Sequence, residues 1–502
     1  MQTRKRKPPF YGREDLLSRL SDFWKRPHAS LLVCRGRRRI GKSTLISRFA
    51  LLDGARLLAF EGLAPQPKMT NEDQLAAFGR QLAEQTHGEA STPPNWFEAF
   101  RRLAGAMPDA GRVVILLDEI SWMGKYDPNF PGELKYAWDK RFHDRPDLVF
   151  VVCGSVSSWI EENILSNAGF VGRVSLDLIV PELPLRECVK FWGAALGRVA
   201  PREMLDVLSV TGGVPRYLEE VDPALSADEN IRRMCFLPNG YLYRDFNDIF
   251  TTVFSAASPL KRAVLARLAV GAQDGAELAE SLGVARNGQL SKMMKELELA
   301  GFVAADSGIN PESGRRSREV KYRLKDNYTR FYLKYVEPHA AEIKNGRYEF
   351  ASLENLPEWN AILGLQFENL VVNNFSALLP ALHLDGVQVF SAAPFRKARK
   401  NAVRGLQVDL LVQTRKAVVL VEVKRQGEIG EEVEREMAEK VRRLRVPDGM
   451  SVRTALVYAG TLSKAVRGSG YFDALVPAET LLGLSGGVRG RGRGKEVGRP
   501  ET

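Results

Sequence analysis

From about Phe10 to Val180 the chain alternates two textures. Short apolar runs at 31–34 (LLVC), 56–60 (RLLAF), 113–117 (VVILL), 148–153 (LVFVVC) and 174–180 (VSLDLIV) are separated by stretches with helical spacing. A strand that is apolar at nearly every position has both faces covered, so the alternation predicts a parallel sheet with helices on each side. From Pro181 to about Val253 the pattern is helical, with GGVPRYL (212–218) as its one Gly/Pro-marked junction. Three short helical patterns occupy 258–301, with a tight turn at Gly283, and two strand-like runs follow, FVAAD (302–306) and VKYRL (320–324). The last part predicts a helix over 364–379, strands at 387–392, 407–413 and 417–425, a charged helix over about 429–443 and a strand at 453–460. The end, Ser485–Thr502, is Gly/Arg-rich and carries too little apolar surface to fold.

Composition narrows this picture. A length of 502 residues suits several domains, and 44% hydrophobic with 26% charged residues is the balance of a folded, soluble protein. No apolar run reaches the roughly 18 residues a membrane span needs, and Met1–Pro9 is basic without an apolar stretch behind it, so no membrane partner and no secretory signal are expected. Cys34, Cys153, Cys188 and Cys235 are scattered and read as buried thiols of a reducing cytoplasm. The formal charge of +11 is unevenly placed, with +4 in residues 1–9 and +3 in the last 18. The body is only mildly basic, which suits a nucleic-acid partner and equally suits solubility with charged tails.

The first chemistry lies at 31–44, LLVCRGRRRIGKST: an apolar strand, then G-x-x-x-x-G-K-S, then an amphipathic helix. Gly36 and Gly41 let the backbone turn so that the N–H groups along Arg37, Arg38, Arg39 and Ile40, and on to Thr44, face phosphate oxygens, and the helix adds its positive end. Lys42 is expected on the β- and γ-phosphates and Ser43 on Mg²⁺. The strand VVILL ends in Asp118 and Glu119; Asp118 is placed to hold Mg²⁺ through water and Glu119 to polarise the attacking water. Ser155, at the tip of the next strand, is a candidate contact to the γ-phosphate or the water, or an ordinary strand end. Arg173 and Arg216 are candidate γ-phosphate contacts, from a neighbouring subunit and from the helical segment respectively. Either is equally read as a surface arginine. Tyr11-Gly12-Arg13-Glu14 precedes a helix and is a candidate cover for adenine.

FYGREDLL, GRRRIGKSTLI, VVILLDEISWM, VVCGSVSSWI and GGVPRYL, in this order, resemble the archaeal-type AAA+ ATPases, a branch close to the signal-transduction ATPases. The resemblance covers about residues 10–225. It implies an α/β fold: a P-loop AAA+ parallel sheet at 10–180 with a helical lid at 181–253, ATP and Mg²⁺ as cofactors, and a nucleotide-driven switch. Arg173 and Arg216 stand where the wider superfamily keeps an arginine finger and a lid arginine.

Residues 256–336 resemble a winged helix-turn-helix. Its third helix would expose Asn287, Gln289, Lys292 and Lys295, and its wing carries Arg315, Arg316 and Arg318. DNA is the partner such a module implies, with a protein surface as the alternative. Near the C-terminus, Glu422 and Lys424 are two apart and so share a strand face, with Asp409 on the strand before. Two carboxylates and an ammonium on one sheet face suit Mg²⁺ and phosphodiester cleavage. Together with Glu368 on the preceding helix, they look like the PD-(D/E)XK nuclease core, α-β-β-β-α-β over 360–462. That resemblance implies Glu368, Asp409 and Glu422 as metal ligands and Asp409, Glu422 and Lys424 as catalytic. The basic loop RKARKNAVR (396–404) suits a phosphate backbone. Two functions stay open: a cytoplasmic ATPase, alone or as a homo-oligomer, whose nucleotide cycle controls a DNA-binding module with or without DNA cleavage, or an ATP-dependent regulator or scaffold whose winged helix binds DNA or protein and whose nuclease fold is inactive.

Overall fold

The computed structural model describes residues 10–155, 158–246, 259–315, 317, 320–348, 352–397 and 405–484. The expected disordered tail, Arg316, Arg318 and most of the basic loop 396–404 lie outside the described residues. Strands β1 (Ser30–Gly36), β2 (Arg56–Glu61), β3 (Val113–Asp118), β4 (Leu148–Ser155) and β5 (Val174–Ile179) form one parallel sheet in the order β2-β3-β4-β1-β5. The sequence could show apolar runs but not their order. In β3 the two faces separate as strand geometry requires. Val113, Ile115 and Leu117 enter one core with Trp96, Phe100 and Phe130, while Val114 and Leu116 enter the other with Leu45 and Phe49.

Beyond the sheet, helices Pro201–Thr211, Pro215–Leu218 and Ala227–Cys235 follow. Next come the helix Pro259–Val270, strand β6 (Gln273–Asp274), helices Gly275–Leu282 and Gly288–Leu299, and strands β7 (Val303–Asp306) and β8 (Lys321–Leu324). These three strands form a small sheet in the order β6-β8-β7. Gly283, at φ +64°, caps the second helix in the left-handed conformation that glycine tolerates. The C-terminal sheet has the order β13-β12-β11-β10-β9, from β9 (Val389–Lys397), β10 (Leu406–Thr414), β11 (Ala417–Ile429), β12 (Ser451–Leu462) and β13 (Ala474–Pro477). β13 is a strand that the apolar pattern did not announce, since of its four residues only Val476 is buried. The helix expected over 364–379 runs instead over Trp359–Asn373, because Trp359, Ile362 and Leu363 are pulled into the core ahead of it.

One apolar cluster runs from Leu183 through Tyr217, Phe246, Tyr328 and Phe367 to Val421 and Leu482. The helical segment after β5, the helix Asn327–Phe331 and one face of the C-terminal sheet therefore share a core. No helix among the described residues is long and apolar enough to cross a membrane. The four cysteines are free and buried.

Candidate functional site

β1 is buried along its whole length because β4 and β5 flank it. At its end a Cβ on Gly36 would lie 2.7 Å from the Val180 carbonyl oxygen, so the chain can turn there only as glycine. Gly41, at φ +84°, starts the helix Lys42–Leu52 without a side-chain cap, which leaves that helix's first N–H groups to the cleft. Lys42 Nζ donates to the carbonyls of Gly36 and Arg37, both at 3.1 Å. Ser43 Oγ donates to Asp118 Oδ2, and the other Asp118 oxygen accepts from Glu119 N at 3.0 Å.

Glu119 sits at φ +49°, a strained backbone for a side chain of its size, at the start of the short helix Ile120–Met123. Its Oε2 is buried with no hydrogen-bond partner among the described residues. Burial raises its pKa; Lys42 opposes that rise and Asp118 adds to it. Ser155 pairs with Gly36 across the sheet and touches Glu119 through its backbone. An orphaned buried carboxylate oxygen and a lysine folded onto its own loop carbonyls are what a site for a hydrated cation and a polyphosphate requires. ATP and Mg²⁺ therefore fit these residues. Ser43 and Asp118 would hold the metal, which supplies charge neutralisation on the phosphates.

The cleft above this loop has a volume of about 410 Å³. Phe10, Tyr11, Leu183 and Phe191 supply an apolar end, with Tyr11 edge-on to Phe191 at 4.9 Å. Arg13, buried at φ +72°, donates to the Ile40 carbonyl at 3.1 Å. Arg216 also lines the cleft, stacked 4.3 Å from the Tyr241 ring and paired with Glu219 and Glu220. Arg173 lies elsewhere, bound to Asp139 at 2.6 and 3.0 Å. Glu61 was not foreseen: it ends β2 level with Asp118 and lines the cleft, and burial followed by the Asp118 charge raises its pKa. Its place at the end of a strand-like run was the available signal.

The loop arginines diverge. Arg38 stacks over Trp122 at 5.2 Å, and Arg39 pairs with the buried Asp245 at 2.6 Å. The Arg37 side chain turns away from the cleft altogether and pairs with Asp326. Only the backbone of Arg37 remains available to a phosphate.

The second cluster lies where β10 and β11 meet the helix Trp359–Asn373. Val408 packs on one side of the C-terminal sheet and Leu410 on the other, so one extra residue flips the strand's phase at Asp409. Such a bulge re-aims a side chain, and Asp409 Oδ2 accepts from Val423 N at 2.9 Å. Glu422 is buried, with Lys424 Nζ at 3.1 Å on one oxygen and Lys440 Nζ on the other. Lys424 also reaches Glu436 at 2.8 Å. Burial, then the Asp409 and Glu422 charges, pushes the Glu368 carboxyl up to about 8. Burial and Glu422 likewise push up Asp409. The fold thus brings Glu368, Asp409, Glu422 and Lys424 into one neighbourhood. No group of three or more acidic, His or Cys side chains among the described residues is arranged to hold a metal. Both Glu422 oxygens are paired with lysines, which a metal at the expected ligand set would have to displace. Lys440 and Glu436 were missed. Glu436 lies three and Lys440 seven residues after Val433, beside the buried Val433–Met437 stripe of the helix Glu432–Arg443, and that spacing was the signal.

The helix Gly288–Leu299 exposes Asn287, Gln289, Lys292 and Lys295 at its start and along its outer face, but three of them are engaged, Lys295 with Glu298 at 3.2 Å. Asn287 caps the helix through Leu290 N, and Lys292 pairs with Glu162 of the parallel-sheet unit at 3.0 Å.

The glycine-rich loop after β1, the acidic pair at the tip of β3 and the strand order together define the class: an α/β unit built on a five-stranded parallel sheet. No family model matches the chain. Uncharacterized protein MJECL04 of Methanocaldococcus jannaschii is 23% identical over 422 residues, 83% of this chain and 87% of that protein. Among solved structures, the Walker-type ATPase PABY2304 of Pyrococcus abyssi covers 64% of this chain and 96% of its own, with 16% identity and a TM-score of 0.47. The ORC2 protein of Aeropyrum pernix covers 68% and 97%, with 15% identity and a TM-score of 0.45.

Proposed function

We propose that this protein binds and hydrolyses ATP with Mg²⁺ and uses the nucleotide cycle to govern a DNA-directed module. The observation that carries the ATPase reading is the juxtaposition of Lys42, Ser43, Asp118 and the orphaned Glu119 carboxylate at the mouth of one cleft. Lys42 would contact the β- and γ-phosphates, the loop N–H groups would cradle them, and Glu119 would take a proton from the attacking water. The apolar end of the cleft would take the adenine, and residues 181–253 would act as its lid with Arg216 facing in. Ser155 would orient Glu119.

We assign residues 256–336 to a winged helix-turn-helix and 360–462 to a PD-(D/E)XK nuclease-like domain. The helix–strand–helix–helix–strand–strand order supports the first assignment, and the Glu368, Asp409, Glu422 and Lys424 neighbourhood supports the second. The Lys292–Glu162 pair favours release of the winged helix before it meets DNA. A second reading, an ATP-dependent regulator that does not cleave, is favoured by the two lysines on Glu422. Incubating the full-length protein with plasmid and Mg²⁺ or Mn²⁺, with and without ATP, separates the two. Cleavage lost in Asp409→Ala and Glu422→Ala, with ATP hydrolysis retained, supports the first reading. Intact plasmid under every condition leaves the second.

A further inference from the structure

Arg37 directly follows Gly36 at the start of the loop. Its side chain is only 5% exposed and lies between the rings of Tyr217 and Phe302, each 5.6 Å away. Nη1 donates to Asp326 at 2.5 Å and to Glu182 at 3.3 Å, and Nη2 to the Tyr217 hydroxyl at 3.4 Å. Burial works against the charge, but Asp326, Tyr217 and Glu182 outweigh it and hold the guanidinium protonated. Nε stays buried with no partner among the described residues. The carbonyl of the same residue is held by Lys42 Nζ. Arg37 is thus fixed at both ends, by the phosphate-seeking lysine and by an aspartate 289 positions away.

Asp326 divides its two oxygens. One takes Arg37; the other accepts from Thr329 N at 2.9 Å and from the Thr329 hydroxyl, capping the helix Asn327–Phe331. That helix is bonded in turn to the helix Trp359–Asn373. Gln366 Nε2 donates to the Asn327 carbonyl at 2.7 Å, Asn369 Nδ2 to Asn327 Oδ1 at 2.5 Å, and Arg330 Nη1 to Gln366 Oε1 at 2.7 Å. Gln366 and Asn369 flank Glu368. A buried chain of polar bonds therefore runs from the phosphate loop to the helix that carries Glu368, in a setting where each bond is strong and costly to break.

We propose that Arg37 and Asp326 are a positioning pair for the phosphate loop, and that they transmit nucleotide occupancy to the helix carrying Glu368. The proposal rests on the nucleotide-binding reading and adds its regulation. When a polyphosphate arrives, Lys42 leaves the Gly36 and Arg37 carbonyls for the anion, and the Arg37 backbone is freed to move. Its side chain is anchored on Asp326, so the shift is passed to the cap of Asn327–Phe331 and on to Gln366 and Asn369. A contiguous network earns the name of a coupling only when a change at one end is measured at the other.

Amide hydrogen exchange on the full-length protein, with and without Mg²⁺ and a non-hydrolysable ATP analogue, measures that change, and calorimetry reports analogue affinity separately. In the wild type, the analogue should alter exchange across 359–373 by at least about threefold, an opening-energy change of roughly 0.7 kcal/mol. Asp326→Asn should weaken analogue binding by about tenfold, as loss of one charged hydrogen bond does, and abolish the response at saturation. Gln366→Met touches nothing in the loop; it should bind the analogue with wild-type affinity and still lose the response at 359–373. Because the readout is a nucleotide-dependent difference, a variant that merely loosens the helix does not mimic the result. A response that persists in Gln366→Met, or analogue binding by the wild type without any response, overturns the coupling alone. No analogue binding by the wild type overturns the nucleotide reading, and the coupling with it.

Discussion

Replacing Glu119 with Gln tests the ATPase chemistry most sharply, because the structure separates what the side chain holds from what it would do. Glutamine has nearly the same shape, and its carbonyl oxygen can keep the backbone contact from Ser155. Ser43 bonds Asp118, Lys42 bonds the Gly36 and Arg37 carbonyls, and none of these bonds involves Glu119 Oε2. Fold and nucleotide affinity should therefore survive. Affinity should stay level or tighten, since one negative charge near the phosphates is gone.

Turnover should not survive. A positioned general base contributes about 10²–10⁴-fold, or roughly 2.7–5.5 kcal/mol at about 1.36 kcal/mol per decade. Burial raises the basicity of Glu119, so the loss should fall in the upper half of that range, about 10³-fold or more. The pH profile adds an independent check. The base must be ionised, so wild-type turnover should fall as pH drops through a pKa above the ordinary carboxylate range, and the residual rate of the variant should lack that limb. Phosphate release gives kcat, calorimetry gives affinity, and thermal unfolding confirms folding. A folded variant that turns over within threefold of the wild type would show that Glu119 is not the base.

Two further outcomes follow from the same geometry. Lys42→Ala should lower nucleotide affinity by about a hundredfold or more, since the loop loses the cation nearest the phosphates; calorimetry showing wild-type affinity would remove Lys42 from the site. The Glu368 carboxyl, raised to about 8, contributes stability that is present below the ordinary carboxylate range and lost as pH rises through about 8. In chelator-treated protein, Glu368→Gln should match the wild type near pH 5 and unfold several degrees higher near pH 8.5, and equal melting temperatures at both pH values would refute the burial argument.

The parallel sheet was legible in the sequence because its strands are covered on both faces. Leu31–Cys34, Val113–Leu117 and Leu148–Cys153 must then be apolar at every position, and such runs have few alternative readings. The glycine-rich loop was legible because its glycines answer a steric demand: a Cβ on Gly36 would lie 2.7 Å from the Val180 carbonyl oxygen. Partners far apart in the chain were not legible. Nothing near Arg37 points to Asp326, and nothing near Glu422 points to Lys440, because an ion pair leaves a trace in each residue's type but none in its distance along the chain. β13 was hidden for a different reason. As a short edge strand it buries one residue and borrows its register from β12, so it needs no apolar pattern of its own.

The phosphate-loop motif leaves four positions unspecified between its glycines because the backbone, not the side chains, meets the phosphates. Side chains there are free to be used for something else, and three consecutive arginines occupy three different directions: Arg37 to Asp326, Arg38 to the face of Trp122 and Arg39 to Asp245. If its task were to attract phosphate, the Arg37 guanidinium would face the cleft, as Arg38 and Arg39 do, instead of a buried aspartate. A buried charge pair is a poor way to gain stability, since apolar side chains of the same volume often do as well or better. What the Arg37–Asp326 pair supplies is a fixed link, because Asp326 holds Arg37 with one oxygen while the other caps the helix Asn327–Phe331. A loop held from outside in this way cannot rearrange around a ligand without moving the segments that hold it. The same anchors that fix the loop are what, on the coupling proposed above, would carry nucleotide occupancy to the remaining units.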